Sequence, residues 1–135
     1  MAQFNRDLIA QFRANGGEIR EGMFKGAPIL LLTTHGAKSG TTYTTPLVYT
    51  RDGDRLVIIA SKGGAPTHPG WYHNLVANPT VRVEVGPEQF DATASVAEGD
   101  ERKRLFDAQA AKMPNFAEYQ LKTTRVLPVV VLERG

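Results

Sequence analysis

Cysteine is absent from the 135 residues. That absence excludes disulfides, iron–sulfur clusters and a thiol nucleophile, and it suits the cytosol. No apolar run approaches the ~20 residues that cross a bilayer. The opening MAQFNRDLIAQFRANGG has no signal-peptide hydrophobic region and reads as mature protein. Neither sign of charge is in excess. With 16 basic and 14 acidic residues the net charge is +2, which gives no reason to expect nucleic acid as a partner. Repeats, low-complexity tracts and linkers are missing too, so the chain reads as one domain over 1–135. An N-terminal helix and lead-in are expected over 1–26 and the main body over 27–135.

What is present is a strand-rich pattern. Phe4, Leu8, Ile9 and Phe12 fall at helical spacing ahead of Gly16 and Gly17, which predicts a short amphipathic helix. Its apolar face serves packing on its own domain, with weak contact to a membrane surface as the other use. From residue 28 the pattern turns to strands. PILLLTT, the β-branched and aromatic run TYTTPLVYTR, and RLVIIA form an expected meander, with a hairpin turn at Asp52-Gly53-Asp54. Pro46 marks an edge or a bulge in the second strand. A loop over 61–70 leads to a short helix over 71–77, ended by Asn78-Pro79. Strands are expected at 80–85, 89–96 and 126–132, with helices over 99–113 and after Pro114. Six strands joined mostly by hairpins, with flanking short helices, predict a mainly β (α+β) fold: a six-stranded antiparallel split barrel.

The chemistry-bearing motifs are modest when taken singly. Gly36-Ala37-Lys38-Ser39-Gly40 is not a P-loop, because Ala37 stands where that motif needs glycine directly before the lysine. It is either an ordinary hairpin with a solvated lysine or a backbone cradle for a phosphate. Ser61-Lys62-Gly63-Gly64 follows an apolar strand, and its paired glycines allow a flat ligand to approach the main chain. His35, His68 and His73 lack metal-ligand spacing, so no metal is expected. No G-x-S-x-G elbow supports a hydrolase. Trp71 fits either the core or a stacking platform. Two glycine-bearing loops, each with a lysine, point towards an anionic, planar ligand.

Three blocks then stand together: LLTTHGAKSGTTYTTPLVY, IIASKGGAPTHPGWYHNLVANPTVRVEV and YQLKTTRVLPVVVLER. In content and order they resemble the deazaflavin (F420)-dependent nitroreductase family, split β-barrel reductases of actinobacteria, over nearly all of the chain after residue 27. The resemblance implies coenzyme F420 as cofactor. Lys38 and Ser39 would hold its phosphate and acidic tail. Lys62 and the backbone of Ala60, Ser61, Gly63 and Gly64 would lie against the deazaflavin ring. Pro46, Val48 and Tyr49 would line the ring and Trp71 would close the pocket. Ala37 replaces the basic residue that usually precedes the first-loop lysine. Met113 and Phe116 lack the hydroxyls that shape the prototype's substrate pocket, and Tyr119 keeps one.

The implied activity is hydride transfer from reduced F420 to an electron-poor acceptor: a conjugated enone, a quinone or a nitro compound. Tyr119 and Ser61 are the expected catalytic donors to the charge that grows on the acceptor. Two other readings are an FMN-dependent split-barrel oxidoreductase and a non-catalytic carrier of the cofactor. The expected partners are the deazaflavin, a small organic substrate and, through an exposed sheet edge, a second copy of the chain. The expected location is the cytoplasm or the inner face of the membrane.

Overall fold

The structure is a computed structural model and describes residues 2–22, 24–37, 40–64 and 66–134. Helix α1 (Ala2–Ala14) precedes β1 (Ile29–His35), β2 (Thr42–Val48), β3 (Thr50–Asp52) and β4 (Arg55–Ile59). After a 3-10 turn at Lys62–Gly64 come α2 (Gly70–Ala77), β5 (Thr80–Val85) and β6 (Glu88–Val96). Helices α3 (Gly99–Lys112) and α4 (Asn115–Leu121) lead to β7 (Val129–Arg134). No described helix is long and apolar enough to cross a membrane.

All pairings are antiparallel, in the order β2-β1-β5-β6-β7-β4-β3. The mainly antiparallel sheet with helices agrees with the sequence reading, but it has seven strands and not six. The run read as one strand divides at Tyr49, whose N–H donates to the Pro28 carbonyl at 3.1 Å. The first part pairs with β1 and the second with β4. These two parts lie at opposite edges of the sheet yet are one residue apart in sequence, so the sheet must curl until its edges approach. Pro46 sits on the edge strand β2, where its missing N–H costs no ladder bond.

Burial explains why some strands alternate and others are apolar throughout. Leu30, Leu32, Leu56, Ile58, Val130 and Leu132 point into one interior cluster, closed by Trp71 and Leu75 of α2. The opposite faces of β4 and β7 carry Val57, Ile59, Val129 and Val131, covered by Leu105 and Phe106 of α3 and Phe116 of α4. Ile29 and Leu31 of β1 are covered by Leu8 and Phe12 of α1. A strand with a helix on its outer face is apolar on both sides; β5, with solvent outside at Arg82, is not.

Asp52 ties the β3–β4 hairpin to α3. It accepts Arg104 Nη1 at 3.0 Å and pairs with Arg55. The Arg104 guanidinium first, then that of Arg55, holds the Asp52 carboxyl well below the usual carboxylate range. A lowered folded pKa stabilises the fold fully above the ordinary aspartate range, and the gain is lost as pH falls towards the lowered value. The stability gap between wild type and Asp52→Asn, read as urea midpoints, is expected to be widest near neutrality and to narrow in acid. A gap constant with pH would refute this linkage.

Candidate functional site

A cavity of about 540 Å³ opens where α1, β2, the 61–64 turn and α4 meet. Of the residues singled out in the sequence, Pro46, Val48, Ser61, Lys62, Trp71 and Tyr119 line it together. Met113 and Phe116 complete its α4 side, and Asn5, Leu8 and Phe24 contribute from the N-terminal segment. A wider groove of about 790 Å³ shares Thr45 and Trp71 with this cavity and runs past Gly36, Ala37 and Asn74. The combination suits a ligand with a flat, largely apolar head and an extended tail.

Local structure sets these positions. Lys62 has a φ of 47°, in the left-handed region, and its Nζ donates to Thr67 Oγ1 at 3.3 Å. Gly64 has a φ of 83° and packs so closely on α4 that a Cβ there would lie 2.7 Å from the Tyr119 carbonyl. The turn and α4 are thus fitted to each other backbone to backbone. Tyr119 is half-buried, with its ring edge-on to Phe116 at 5.6 Å between centroids. Its hydroxyl oxygen accepts from Asn115 Nδ2 at 2.9 Å, which leaves the hydroxyl proton available for donation. Trp71 is buried and serves as core and cavity wall at once.

The remaining expected residues are placed differently. Tyr49 lines a separate cavity of about 350 Å³, with the Arg51 guanidinium 5.6 Å from its ring centre. Ala60 is fully buried, and its N–H donates to the Pro128 carbonyl at 2.9 Å. Gly63 lies within the 3-10 turn. Lys38 and Ser39 lie outside the described residues. The loop leading to them is held by α2: Asn74 Oδ1 accepts the Ala37 N–H at 3.1 Å, while Asn74 Nδ2 donates to Thr34 Oγ1 at 3.2 Å.

Sequence reasoning did not reach Asn74, Asn115 or Arg125. Arg125 donates to the carbonyls of Ala60 and Ser61 at 3.0 and 2.7 Å and to His68 Nδ1 at 2.9 Å. Burial lowers the His68 pKa, with Arg125 adding to the effect, so the ring stays neutral near pH 7 and its Nδ1 can accept. Arg125 lies in one of the quoted blocks, but nothing local marks its acceptors, which are 57 to 65 residues away.

The model of the family described as F420H(2)-dependent quinone reductase matches residues 4–134. The chain belongs to this family. As an F420H(2)-dependent quinone reductase family member it is an oxidoreductase, and its cofactor is coenzyme F420, as the resemblance implied. An F420H(2)-dependent quinone reductase of Mycobacterium tuberculosis is 44% identical over 128 residues, spanning 93% of this chain and 86% of the relative. A solved F420-H2 dependent reductase shares 45% identity at a TM-score of 0.73, covering 78% of this chain and 94% of that one. A further solved relative, described as a domain-swapped dimer, shares 38% identity at a TM-score of 0.75, over 98% of this chain and 96% of its own.

The cavity fits the family's cofactor. Its volume and mostly apolar lining accommodate a tricyclic ring, Lys62 offers its charge and its backbone N–H, and the groove past Ala37 offers a path for a tail.

Proposed function

We propose that the chain reduces quinone-type acceptors with hydride from F420 held in the 540 Å³ cavity, its tail following the groove towards the loop at 36–40. The observation that carries this reading is the shared wall, Thr45 and Trp71, which makes the slot continuous with a groove running past Gly36, Ala37 and Asn74, as a headed-and-tailed cofactor needs. When bound, reduced F420 supplies the hydride. Pro46, Val48 and Trp71 form the flat apolar sides, and Lys62 sits at the mouth as a point charge for polar parts of the cofactor. Lys38 and Ser39 are proposed to meet the phosphate.

Reduction places negative charge on the acceptor oxygen. The Tyr119 hydroxyl, whose oxygen is already occupied by Asn115, is free to donate to it, and Ser61 is a second donor lining the same cavity. Helices α1 and α4 flank the cavity and would narrow the access of water to an acceptor bound there. Homodimer formation is supported by the domain-swapped relative and by the unpaired outer side of β2.

A fluorescence titration with F420, with FMN and NADPH as controls, tests the cofactor reading. Saturable binding of F420 alone is expected. Lys62 is exposed, so Lys62→Ala should leave the melting temperature nearly unchanged while weakening F420 binding about tenfold, as for loss of one charge-assisted contact. Wild-type affinity in Lys62→Ala, or a preference for FMN, would refute the assignment.

A further inference from the structure

We propose that Arg125 is a positioning residue for hydride transfer: it fixes the Ala60–Ser61 backbone so that the Lys62 amide is presented to the cavity. The inference rests on the cofactor reading above and extends it to a residue that does not itself line the cavity.

One planar guanidinium spans two successive carbonyls, with Nη1 on Ala60 at 3.0 Å and Nη2 on Ser61 at 2.7 Å. The Ser61 carbonyl also accepts the Gly64 N–H at 2.9 Å. The N–H groups of Ala60 and Ser61 are occupied by the carbonyls of Pro128 and Ile59, each at 2.9 Å. Every polar backbone group of these two residues is therefore engaged within the protein, while the Ser61 side chain borders the cavity.

No peptide bond among the described residues is cis, so the Lys62 N–H points opposite to the Ser61 carbonyl, away from Arg125. No described residue accepts that N–H. The left-handed φ at Lys62 gives the turn the concave run of amides that receives an electronegative atom. Such a backbone is strained for a side-chain-bearing residue, and it persists only where the surroundings hold it. Arg125 holds it from the far side.

His68 completes the clamp. A guanidinium only donates, so Nδ1 of His68 accepts at 2.9 Å and the ring proton resides on Nε2. The ring is in turn packed on Tyr72, 4.7 Å between centroids. Lysine at position 125 would keep the charge but could not span two carbonyls and an imidazole in one plane.

The test loads each protein with reduced F420 and mixes it in a single turnover with a water-soluble benzoquinone, following oxidation by deazaflavin absorbance. Wild type, Arg125→Lys, Arg125→Ala, and Arg125→Ala with millimolar guanidinium are compared, each with a melting curve and an F420 titration. Arg125→Lys is expected to remain folded, to bind F420 within about tenfold of wild type, and to transfer hydride about 100-fold more slowly, as misplacement of a reacting pair predicts. Guanidinium should restore part of the rate to Arg125→Ala. A wild-type rate in Arg125→Lys overturns the proposal. So does a loss of rate that only follows loss of folded protein and is not rescued by guanidinium. Failure of wild type itself to bind F420 would overturn the cavity reading, and this inference with it.

Discussion

Gly64→Ala is expected to weaken F420 binding by about 30-fold or more while leaving the sheet folded. Gly64 has a φ of 83°, and an added Cβ would lie 2.7 Å from the Tyr119 carbonyl oxygen, 2.9 Å from Lys122 Cβ and 3.2 Å from Tyr119 Cα. Two of these neighbours are backbone and cannot swing aside. The left-handed conformation costs an alanine about 1 kcal/mol, and overpacking against a fixed neighbour adds 1–3 kcal/mol on the order seen in well-packed interiors. Lifting the turn off α4 relieves both. That movement separates Ser61 and Lys62 from Tyr119, which line the same cavity. The relaxed state becomes the major one, and apparent affinity falls by the fraction of protein still holding the docked arrangement. Fluorescence titration beside a far-ultraviolet melting curve separates the two effects. Wild-type affinity in Gly64→Ala would show that turn and helix do not need to touch for the cofactor to bind.

Arg13→Ala is expected to cost about 2–3 kcal/mol of folding stability. Glu84 is buried in β5, with only 5% of its side chain exposed, and takes Arg13 Nε and Nη2 at 3.1 and 2.9 Å. Gln89 adds a longer contact at 3.4 Å. Removing the guanidinium strands a carboxylate where water barely reaches it. Arg13 itself is half exposed, so the loss falls below that of a fully buried pair. In a domain of this length the melting temperature should drop by roughly 6–10 °C. Replacing both residues by methionine should recover most of that loss, since no charge then remains buried. An Arg13→Ala variant as stable as wild type would mean that Glu84 is rehydrated without penalty. Helix α1 carries Leu8 and Asn5 to the cavity, so loosening this tie also lowers cofactor affinity.

These two sites show what the sequence could reveal. Helix α2 was legible because Pro69, Gly70 and the Asn78-Pro79 stop bracket it within ten residues. The continuous apolar runs of β1, β4 and β7 announced strands, but which helix covers each outer face depends on topology. The break at Tyr49 was invisible, because β-branched residues continue on both sides of it and the change of pairing partner leaves no local mark. In TVRVEV Glu84 alternates with valines, as a solvent-facing residue would; its burial follows from Arg13, 71 residues earlier. The glycines at 63 and 64 signalled a loop with freedom, and one of them proves essential for contact with α4 and not for freedom alone. Cavity residues carried by recognisable blocks were found, whereas Asn74 and Arg125, which act by holding backbone groups distant in sequence, needed the fold.

Strand β7 is the last described strand in sequence yet lies between β6 and β4. During synthesis both of those neighbours emerge first, each with a bare flank of N–H and C=O groups, and β4 with exposed leucine, valine and isoleucine side chains as well. The sheet cannot become continuous until residues 129–134 have left the ribosome, and Arg125 reaches Ala60 in the same late step. A nascent chain halted shortly before residue 125 would expose two adhesive flanks at once, the situation in which chaperone holding matters most. Premature termination shortly before residue 125 should therefore yield aggregates in place of a soluble, cofactor-free remnant.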